Sequence, residues 1–216
     1  MNHGKRLDDL IDFVALSTTR AKGLLIPISG GSDSALAFWI LNQACSQKCL
    51  GIFCGQDLRC KDWFAKTGSI RLVEQPTFLS DKETARWALF HDLSLQENRW
   101  LVGTRNRSED VFGTFSLASR IATFLPIVGV WKSDVMKLCK YVGVPTEITE
   151  SSRRADPDCG RPAELAEIPL ERIDIFLKAK LKLRSMRGLT RAQITYLEHV
   201  FEANNFRHGL PVKGPA

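Results

Sequence analysis

The stretch that decides the fold spans residues 24–41 and reads LLIPISGGSDSALAFWIL. Its first five residues are all apolar, which is typical of a strand buried at the centre of a parallel sheet. The Ser-Gly-Gly-Ser that follows favours a tight turn, and the apolar residues from Ala35 onward favour a helix. The stretch therefore predicts a strand, a glycine turn and a helix, the unit from which parallel α/β sheets are built.

The same alternation continues on both sides of this unit. Further strands are predicted at residues 49–54, 69–73, 99–103 and 123–128. Helical periodicity is found at residues 6–16, 81–95 and 132–141. Together these elements predict an α/β fold with a doubly wound, mostly parallel five-stranded sheet and helices on both faces. We predict that residues 1–216 form one domain.

Composition excludes several classes of protein. Hydrophobic residues make up 44% of the 216 residues and charged residues 25%, which rules out a disordered or collagen-like chain. No apolar run approaches the ~18 residues that a membrane span needs. Asp8, Asp9 and Asp12 interrupt what would have to be the apolar core of a signal peptide, so we expect a cytoplasmic protein that does not contact membranes.

Charge and cysteine content indicate the kind of ligand. Thirty Lys and Arg against 24 Asp and Glu give a net charge of +6, which favours polyanionic ligands without choosing among nucleotides, nucleic acid and lipid head groups. The six cysteines include no Cys-x-x-Cys pair, so we expect reduced thiols and no zinc site.

The turn after the first strand has the composition of a phosphate-binding loop. Gly30 and Gly31 let backbone N–H groups approach an anion, and Ser32 and Ser34 add hydroxyl donors at a helix N-terminus. Asp33 would repel phosphates directly, so its presence predicts Mg²⁺ between the carboxylate and the phosphates. The loop is not a Walker A motif, which needs wider glycine spacing and a Lys. The alternative is a plain turn with Ser32 or Asp33 as helix cap.

A second polar segment, residues 103–109 with the sequence GTRNRSE, also follows a strand and opens a helix. Parallel strands end at one edge of the sheet, which would bring Thr104 and Glu109 near Asp33. Taken alone, Ser108 and Glu109 are equally compatible with ordinary helix-start chemistry.

Both segments match known motifs. The loop resembles the Ser-Gly-Gly-x-Asp-Ser pattern of the N-type ATP pyrophosphatases, which cleave ATP between the α and β phosphates and have an adenine nucleotide alpha hydrolase-like fold. Gly-Thr-x-Asn-x-Ser-Glu after a buried strand is similar to ammonia-dependent NAD synthetase. The resemblance continues over most of the chain, through residues 85–86, 125–126, 132, 143–145, 155–156 and 173–177.

The resemblance implies an amide-forming ligase that adenylates the carboxylate of deamido-NAD, releases pyrophosphate and forms NAD with ammonia. It implies ATP as co-substrate, Mg²⁺ as cofactor and a homodimer. ATP would be bound by Ser29, Gly30, Gly31, Ser32, Asp33, Ser34, Arg86 and Thr104. The metal ligands would be Asp33 and Glu109, and the catalytic residues Asp33 and Lys132. The acceptor substrate would be bound by Lys132 and Asp156. From the residues themselves we add Arg153 and Arg154, which lie with Asp156 in a polar stretch at residues 151–162 that we predict to be a loop closing over the ligand. These two arginines suit phosphate clamps and a solvated loop face equally well.

One region departs from the family pattern. Between Gly113 and Pro126 the family has Thr-Lys-Tyr-Gly-Asp followed by a second Asp, which help to bind deamido-NAD. This chain has Phe-Ser-Leu-Ala-Ser at residues 115–119 and Thr123 where the second Asp is expected. The sequence therefore supports activation by ATP more strongly than it supports any particular acceptor.

Two other functions remain open. A basic run consists of Lys178, Lys180, Lys182, Arg184, Arg187 and Arg191. This run suits either a solvated helix face or RNA binding by a tRNA-modifying thiolation enzyme of the same superfamily, for which Cys159 would be the nucleophile. We expect nucleic acid not to be the partner. The lost acidic positions also fit a degenerate homologue that binds nucleotide without turnover.

Overall fold

The computed structural model describes residues 2–151 and 163–209. Its strands are β1 (Leu24–Pro27), β2 (Cys49–Cys54), β3 (Ile70–Val73) and β4 (Trp100–Leu101). The N-terminal helices are α1 (His3–Ser17), α2 (Ser32–Cys45), α3 (Lys61–Thr67) and α4 (Lys82–Gln96). The later helices are α5 (Arg107–Phe112), α6 (Lys132–Tyr141), α7 (Thr146–Ser151), α8 (Ala163–Glu167), α9 (Leu170–Lys180) and α10 (Arg191–Asn204). Short 3₁₀ turns lie at Ser46–Lys48, Leu117–Ile121 and Asn205–Gly209.

The strands form one parallel sheet in the order β3-β2-β1-β4. Leu24 pairs with Cys49 on one side and with Trp100 on the other, which makes β1 a central strand. The prediction of a parallel sheet with interleaved helices is confirmed.

The prediction of five strands is wrong for the described residues, where the sheet has four strands. The segment expected as the fifth strand makes only an isolated parallel bridge between Val102 and Phe124. Pro126 gives a physical reason why this pairing stops. The Phe124 N–H and carbonyl oxygen bond to Leu101 and Gly103, so Pro126, two residues further on, would face the same neighbour and has no N–H to continue the ladder.

Side chains from the two faces of the sheet enter different hydrophobic clusters. Leu24 and Ile26 pack with α1, α2 and α6, whereas Leu25, between them in the sequence, packs with Trp87 and Phe90 of α4. This alternation explains the continuous apolar run, because a strand covered on both faces has no solvent side. A third cluster joins α5, α6, α8, α9 and α10 around Phe112, Phe176 and Leu177.

Two further observations bear on the sequence predictions. The described cysteines, Cys45, Cys49, Cys54, Cys60 and Cys139, are free thiols. Within residues 2–151 and 163–209, no helix is both long enough and apolar enough to cross a membrane.

Candidate active site

The glycine turn between β1 and α2 is shaped by its own serines. Gly30 has φ +73°, a conformation that favours glycine, and Gly31 caps α2 with extended backbone. The Ser29 hydroxyl accepts from the Gly31 N–H at 3.3 Å, and the Ser34 hydroxyl donates to the Gly31 carbonyl at 3.0 Å. These bonds fix the curvature of the turn at the start of α2, whose N-terminus carries partial positive charge.

Asp33, in the first turn of α2, is held by two groups from distant parts of the chain. Its Oδ1 accepts from the Asn106 side-chain amide at 2.9 Å, and its Oδ2 pairs with the Lys132 ammonium. Lys132 also donates to the Ser32 hydroxyl at 2.9 Å. The side chains of Lys132 and Asp33 are only 11% and 17% exposed, so the pair is largely removed from solvent. The structure thus brings the first turn of α2 together with the starts of α5 and α6.

Glu109 lies next to this pair because α5 begins with a capping box. The Asn106 side chain accepts from the Glu109 N–H at 3.0 Å, and the Glu109 carboxylate accepts from the Asn106 N–H at 3.2 Å. Burial and the nearby Asp33 carboxylate raise the pKa of Glu109 to about 7, against the smaller opposing effect of Lys132. Two carboxylates therefore lie beside one lysine. Their charges together exceed that of the lysine, so the cluster would attract another cation.

Lys132 is kept charged by the same arrangement. Burial alone would lower its pKa, but the Asp33 and Glu109 carboxylates outweigh burial and the pKa is raised. Its backbone is also fixed, since the Lys132 N–H donates to the Ser108 hydroxyl at 2.8 Å.

The start of α6 is anchored by a buried carboxylate. Asp174 of α9 is 2% exposed and accepts from the Ser108 hydroxyl and, at 2.9 Å, from the Ser133 N–H. Through these two bonds Asp174 joins α5, α6 and α9 directly behind Lys132. It therefore acts on the position of the lysine without contacting its side chain.

A cavity of about 720 Å³ opens at the carboxyl ends of the strands beside this cluster. Ser29, Arg86, Thr104 and Glu109 all line it, although they come from four separate segments. Arg86 forms an ion pair with Glu83 at 2.7 Å within α4. Of the two polar loops, the second contributes Thr104 and Glu109 to this lining and the glycine turn contributes Ser29.

Some of the residues predicted to bind ATP or the acceptor use their side chains for bonds within the protein, and others lie outside the described residues. The hydroxyls of Ser32 and Ser34 bond within the protein, to Lys132 and to the turn respectively. Arg153, Arg154 and Asp156, predicted to bind the acceptor, and Cys159, the alternative nucleophile, lie outside the described residues. Among those described, no group of three or more His, Cys, Asp or Glu side chains could hold a metal ion.

Sequence reasoning did not assign a role to three residues whose contacts place them at or beside the candidate site. Asn106 was part of the second motif, and a Gly-Thr-x-Asn start to a helix is enough to suggest a cap. Asp174 carried a weaker signal, namely a single acid between two apolar residues in a helix that packs in the interior. Arg105 had no signal, because its contacts come from residues 110, 115 and 119.

A family model described as NAD synthase matches residues 78–211, more than half of the chain. The chain belongs to the NAD synthase family. The match includes Arg86, Thr104, Glu109 and Lys132, while the glycine turn precedes it.

Relatives of the NAD synthase family match over nearly the whole chain. The NH(3)-dependent NAD(+) synthetase of Thermococcus kodakarensis is 25% identical over 93% of this chain and 91% of its own length. That of Campylobacter jejuni subsp. jejuni serotype O:6 is 23% identical over 98% of both chains. These relatives are synthetases and not tRNA-modifying enzymes.

Solved structures share the fold. The NH3-dependent NAD synthetase from Campylobacter jejuni, in complex with the nitrate ion, superimposes with a TM-score of 0.78 at 20% identity, covering 100% of both chains. The NMN synthetase from Francisella tularensis gives 0.77 at 19% identity, again over 100% of both chains. At these identities the likeness shows the fold alone, which is the doubly wound fold predicted from the sequence.

Proposed function

We propose that this protein is an ATP-dependent ligase that converts the carboxylate of a nicotinate nucleotide, such as deamido-NAD, into an amide with ammonia. The observation that carries the proposal is the cluster of Asp33, Glu109 and Lys132 at the N-terminus of α2, beside a cavity large enough for a nucleotide. Membership in the NAD synthase family supports the same chemistry.

The proposed ATP site follows from the geometry of the turn. Residues 29–34 would bind the pyrophosphate part of ATP, where backbone N–H groups and the α2 dipole favour negative charge. Lys132 would stabilise charge on the departing pyrophosphate, since it is charged, buried and fixed at the same helix start. Thr104 and Arg86 line the cavity and would contact the rest of the nucleotide.

The carboxylates present fit Mg²⁺ that arrives with ATP. Mg²⁺ is usually held by one or two protein carboxylates together with substrate phosphates and water. Asp33 and Glu109 supply two, and Glu109 lies close enough to Asp33 for that carboxylate to add to the effect of burial in raising its pKa. The cation would neutralise phosphate charge during transfer of the adenylyl group.

The reaction needs no covalent bond to the protein. A carboxylate oxygen of the acceptor attacks the α-phosphorus, the bond to pyrophosphate breaks, and an acyl adenylate forms. Ammonia then attacks the acyl carbon, AMP leaves, and a proton is released with the amide. The chain's part is to hold both substrates in the cavity and to stabilise the charge on each leaving group.

Three finer points extend the proposal. Arg153, Arg154 and Asp156 would contact the acceptor, the protein would work as a homodimer in the cytoplasm, and residues 1–216 would act as one domain. The homodimer comes from the family resemblance, whereas the location and the single domain come from the sequence itself.

The test is an assay with ATP, Mg²⁺, ammonium and deamido-NAD in which AMP, pyrophosphate and NAD are measured. All three products should form in equal amounts. Lys132→Met should reduce the rate by at least about 100-fold, because it removes the buried positive charge. Lys137→Met changes an exposed lysine of the same helix and should leave the rate unchanged.

The outcomes separate the competing functions. Pyrophosphate release that requires added tRNA, or ATP binding without any AMP, would contradict the proposal. Equal loss of activity in Lys132→Met and Lys137→Met would remove the role assigned to Lys132.

A further inference from the structure

The cavity has a second region built from residues that the proposed ATP site does not use. It is formed by the segment after α5 and by the end of α10, and its lining includes Thr114, Phe115, Ser116, Ser119, Asn204 and Arg207. This is the segment in which the chain departs from the family pattern by losing acidic residues. Its charge is now set by two arginines, Arg105 and Arg207, which both line the cavity.

Arg105 is a buried cation whose hydrogen bonds are weak. Its side chain is 12% exposed, and its guanidinium stacks on the Phe115 ring with 3.5 Å between the central carbon and the ring centroid. Its contacts with Asp110 and with the Ser119 hydroxyl are both 3.4 Å long. Its Nε is buried and meets no acceptor among the described residues. Burial lowers the pKa of Arg105, against the smaller opposing effect of Asp110.

Arg207 is held by the same phenylalanine and, in the part of the chain that the structure describes, pairs with no carboxylate. One of its terminal nitrogens donates to the Phe115 carbonyl oxygen. Within residues 2–151 and 163–209, no carboxylate lies within 4 Å of its guanidinium, and its Nε is buried without an acceptor. Arg207 itself is fixed from outside, because Arg120 donates to its carbonyl oxygen at 3.1 Å.

Two guanidinium groups fixed to one residue, each with an unused buried N–H, are costly in a protein without a ligand. A buried polar group that lacks a partner costs about 1–3 kcal/mol, and a charged group costs more. An anion with several acceptor oxygens would satisfy both groups at once, and phosphate matches the fork of donors that arginine presents.

The triphosphate of ATP is not the natural ligand of this pair. Phosphates of ATP already have residues 29–34 and Lys132, which contact neither arginine through any hydrogen bond described above. The other anionic substrate of the proposed reaction is the acceptor, which must carry its carboxylate into the same cavity.

We propose that Arg105 and Arg207 form an anion subsite that binds a phosphate group of the acceptor nucleotide, a role that rests on the proposed function. The phosphate of a mononucleotide and the pyrophosphate of a dinucleotide offer the same chemistry to this pair. A mononucleotide phosphate carries up to two charges on one group and exposes three oxygens, so it uses both arginines more fully.

The experiment compares three acceptors that share the nicotinate ring: deamido-NAD, nicotinate mononucleotide and nicotinate riboside, which has no phosphate. Arg105→Gln and Arg207→Gln should each raise the KM for the phosphorylated acceptors about 10-fold to 100-fold, the loss of a charge-assisted hydrogen bond. The KM for ATP and the low rate with the riboside should not change. Arg191→Gln, at an exposed position at the start of α10, is the matched control.

The phosphorylated acceptor whose KM rises more in the two variants is the one whose phosphate depends more strongly on the arginines. An unchanged KM for both phosphorylated acceptors, or an equal rise in the KM for ATP, would overturn the subsite. A comparable loss with the riboside would show that the arginines support the fold around Phe115 and would also overturn it.

A direct binding measurement separates this inference from the proposed function. Calorimetric titration of the wild-type protein with nicotinate mononucleotide, without ATP and ammonium, should give binding that both Gln variants weaken by the same factor as their KM. Absence of turnover with every acceptor contradicts the proposed function, whereas turnover with unchanged binding in the variants contradicts only the subsite. If Arg105→Gln fails to fold, Arg207→Gln and Arg105→Lys carry the test, and Arg105→Lys should recover part of the affinity.

Discussion

The two regions of the cavity differ in how completely their charges are paired. At the start of α2, Asp33 has a partner for each oxygen, and Lys132 contacts both a carboxylate and a hydroxyl. Around Phe115, by contrast, Arg105 makes only long contacts and Arg207 has no carboxylate partner among the described residues. Asp33 and Lys132 thus pair with each other within the protein, whereas we propose that the two arginines are paired by a ligand.

The difference indicates which part of the chemistry is fixed and which part varies. The paired region, around Asp33 and Lys132, carries the residues that the family resemblance assigns to ATP and matches the family motifs. The unpaired region, around Arg105, Phe115 and Arg207, is the one in which the family's acidic residues are replaced. A chain that retains the activating groups and changes its acceptor contacts is expected to keep adenylation while altering acceptor preference.

The largest effect is expected from Asp33→Asn, which removes the carboxylate at the centre of the paired region. Turnover should fall by at least about 1000-fold, because Lys132 loses its partner and the proposed cation loses a ligand. Asp62→Asn makes the same change in the first turn of α3 at an exposed position and should have no effect. Pyrophosphate release measures both, and full activity in Asp33→Asn would refute the role of the paired region.

Asp174→Ala tests the buried carboxylate that anchors the start of α6 next to Lys132. Losing the carboxylate leaves the Ser108 hydroxyl and the Ser133 N–H buried without their acceptor, which should reduce the free energy of unfolding by about 2–4 kcal/mol. Urea denaturation measures the change, and Glu171→Ala on the exposed side of α9 is the control. Equal stability of the two variants would mean that the anchor is unimportant.

Ser119→Asp tests the region around Arg105 and Arg207 by giving Arg105 a second carboxylate besides Asp110. The Ser119 hydroxyl lies 3.4 Å from the guanidinium, so an Asp there should pair with it and compete with an incoming phosphate. The KM for a phosphorylated acceptor should rise about tenfold while the KM for ATP stays constant. Ser119→Asn matches the size without the charge. A similar KM in both variants would show that charge at this position does not matter.

A smaller effect is expected at Cys54, which lines the cavity. Burial raises its pKa to about 11, so alkylation by iodoacetamide should be slow at pH 8. ATP with Mg²⁺ at about twice its Kd should slow it about threefold further by mass action. Cys45, at the far end of α2, should react at the same rate with and without ATP, and mass spectrometry of peptides resolves the two sites. An unprotected Cys54 would place ATP elsewhere.

Much of the fold was predictable because its signals are local. An uninterrupted apolar run followed by two glycines specifies a buried strand and a turn before any tertiary contact is known. The same kind of signal misled the prediction of a fifth strand. Residues 123–128 are as apolar as a strand, but Pro126 within them has no N–H to continue the ladder after Phe124.

The candidate site divides in the same way. Asp33, Thr104 and Glu109 could be placed together from sequence because parallel strands end at a common edge. The arginine pair could not, since Phe115 brings together residues 105 and 207 through contacts about 90 positions apart in the chain. Such pairs leave no periodicity, and only the folded chain brings them together.

The ion pair between Asp33 and Lys132 has a consequence for how the site is loaded. Without nucleotide, Lys132 already supplies a counter-ion to Asp33. If the proposed function holds, a cation that accompanies ATP would compete with Lys132 for this carboxylate. Lys132 would then be free to pair with phosphate charge while its backbone stays anchored at the start of α6.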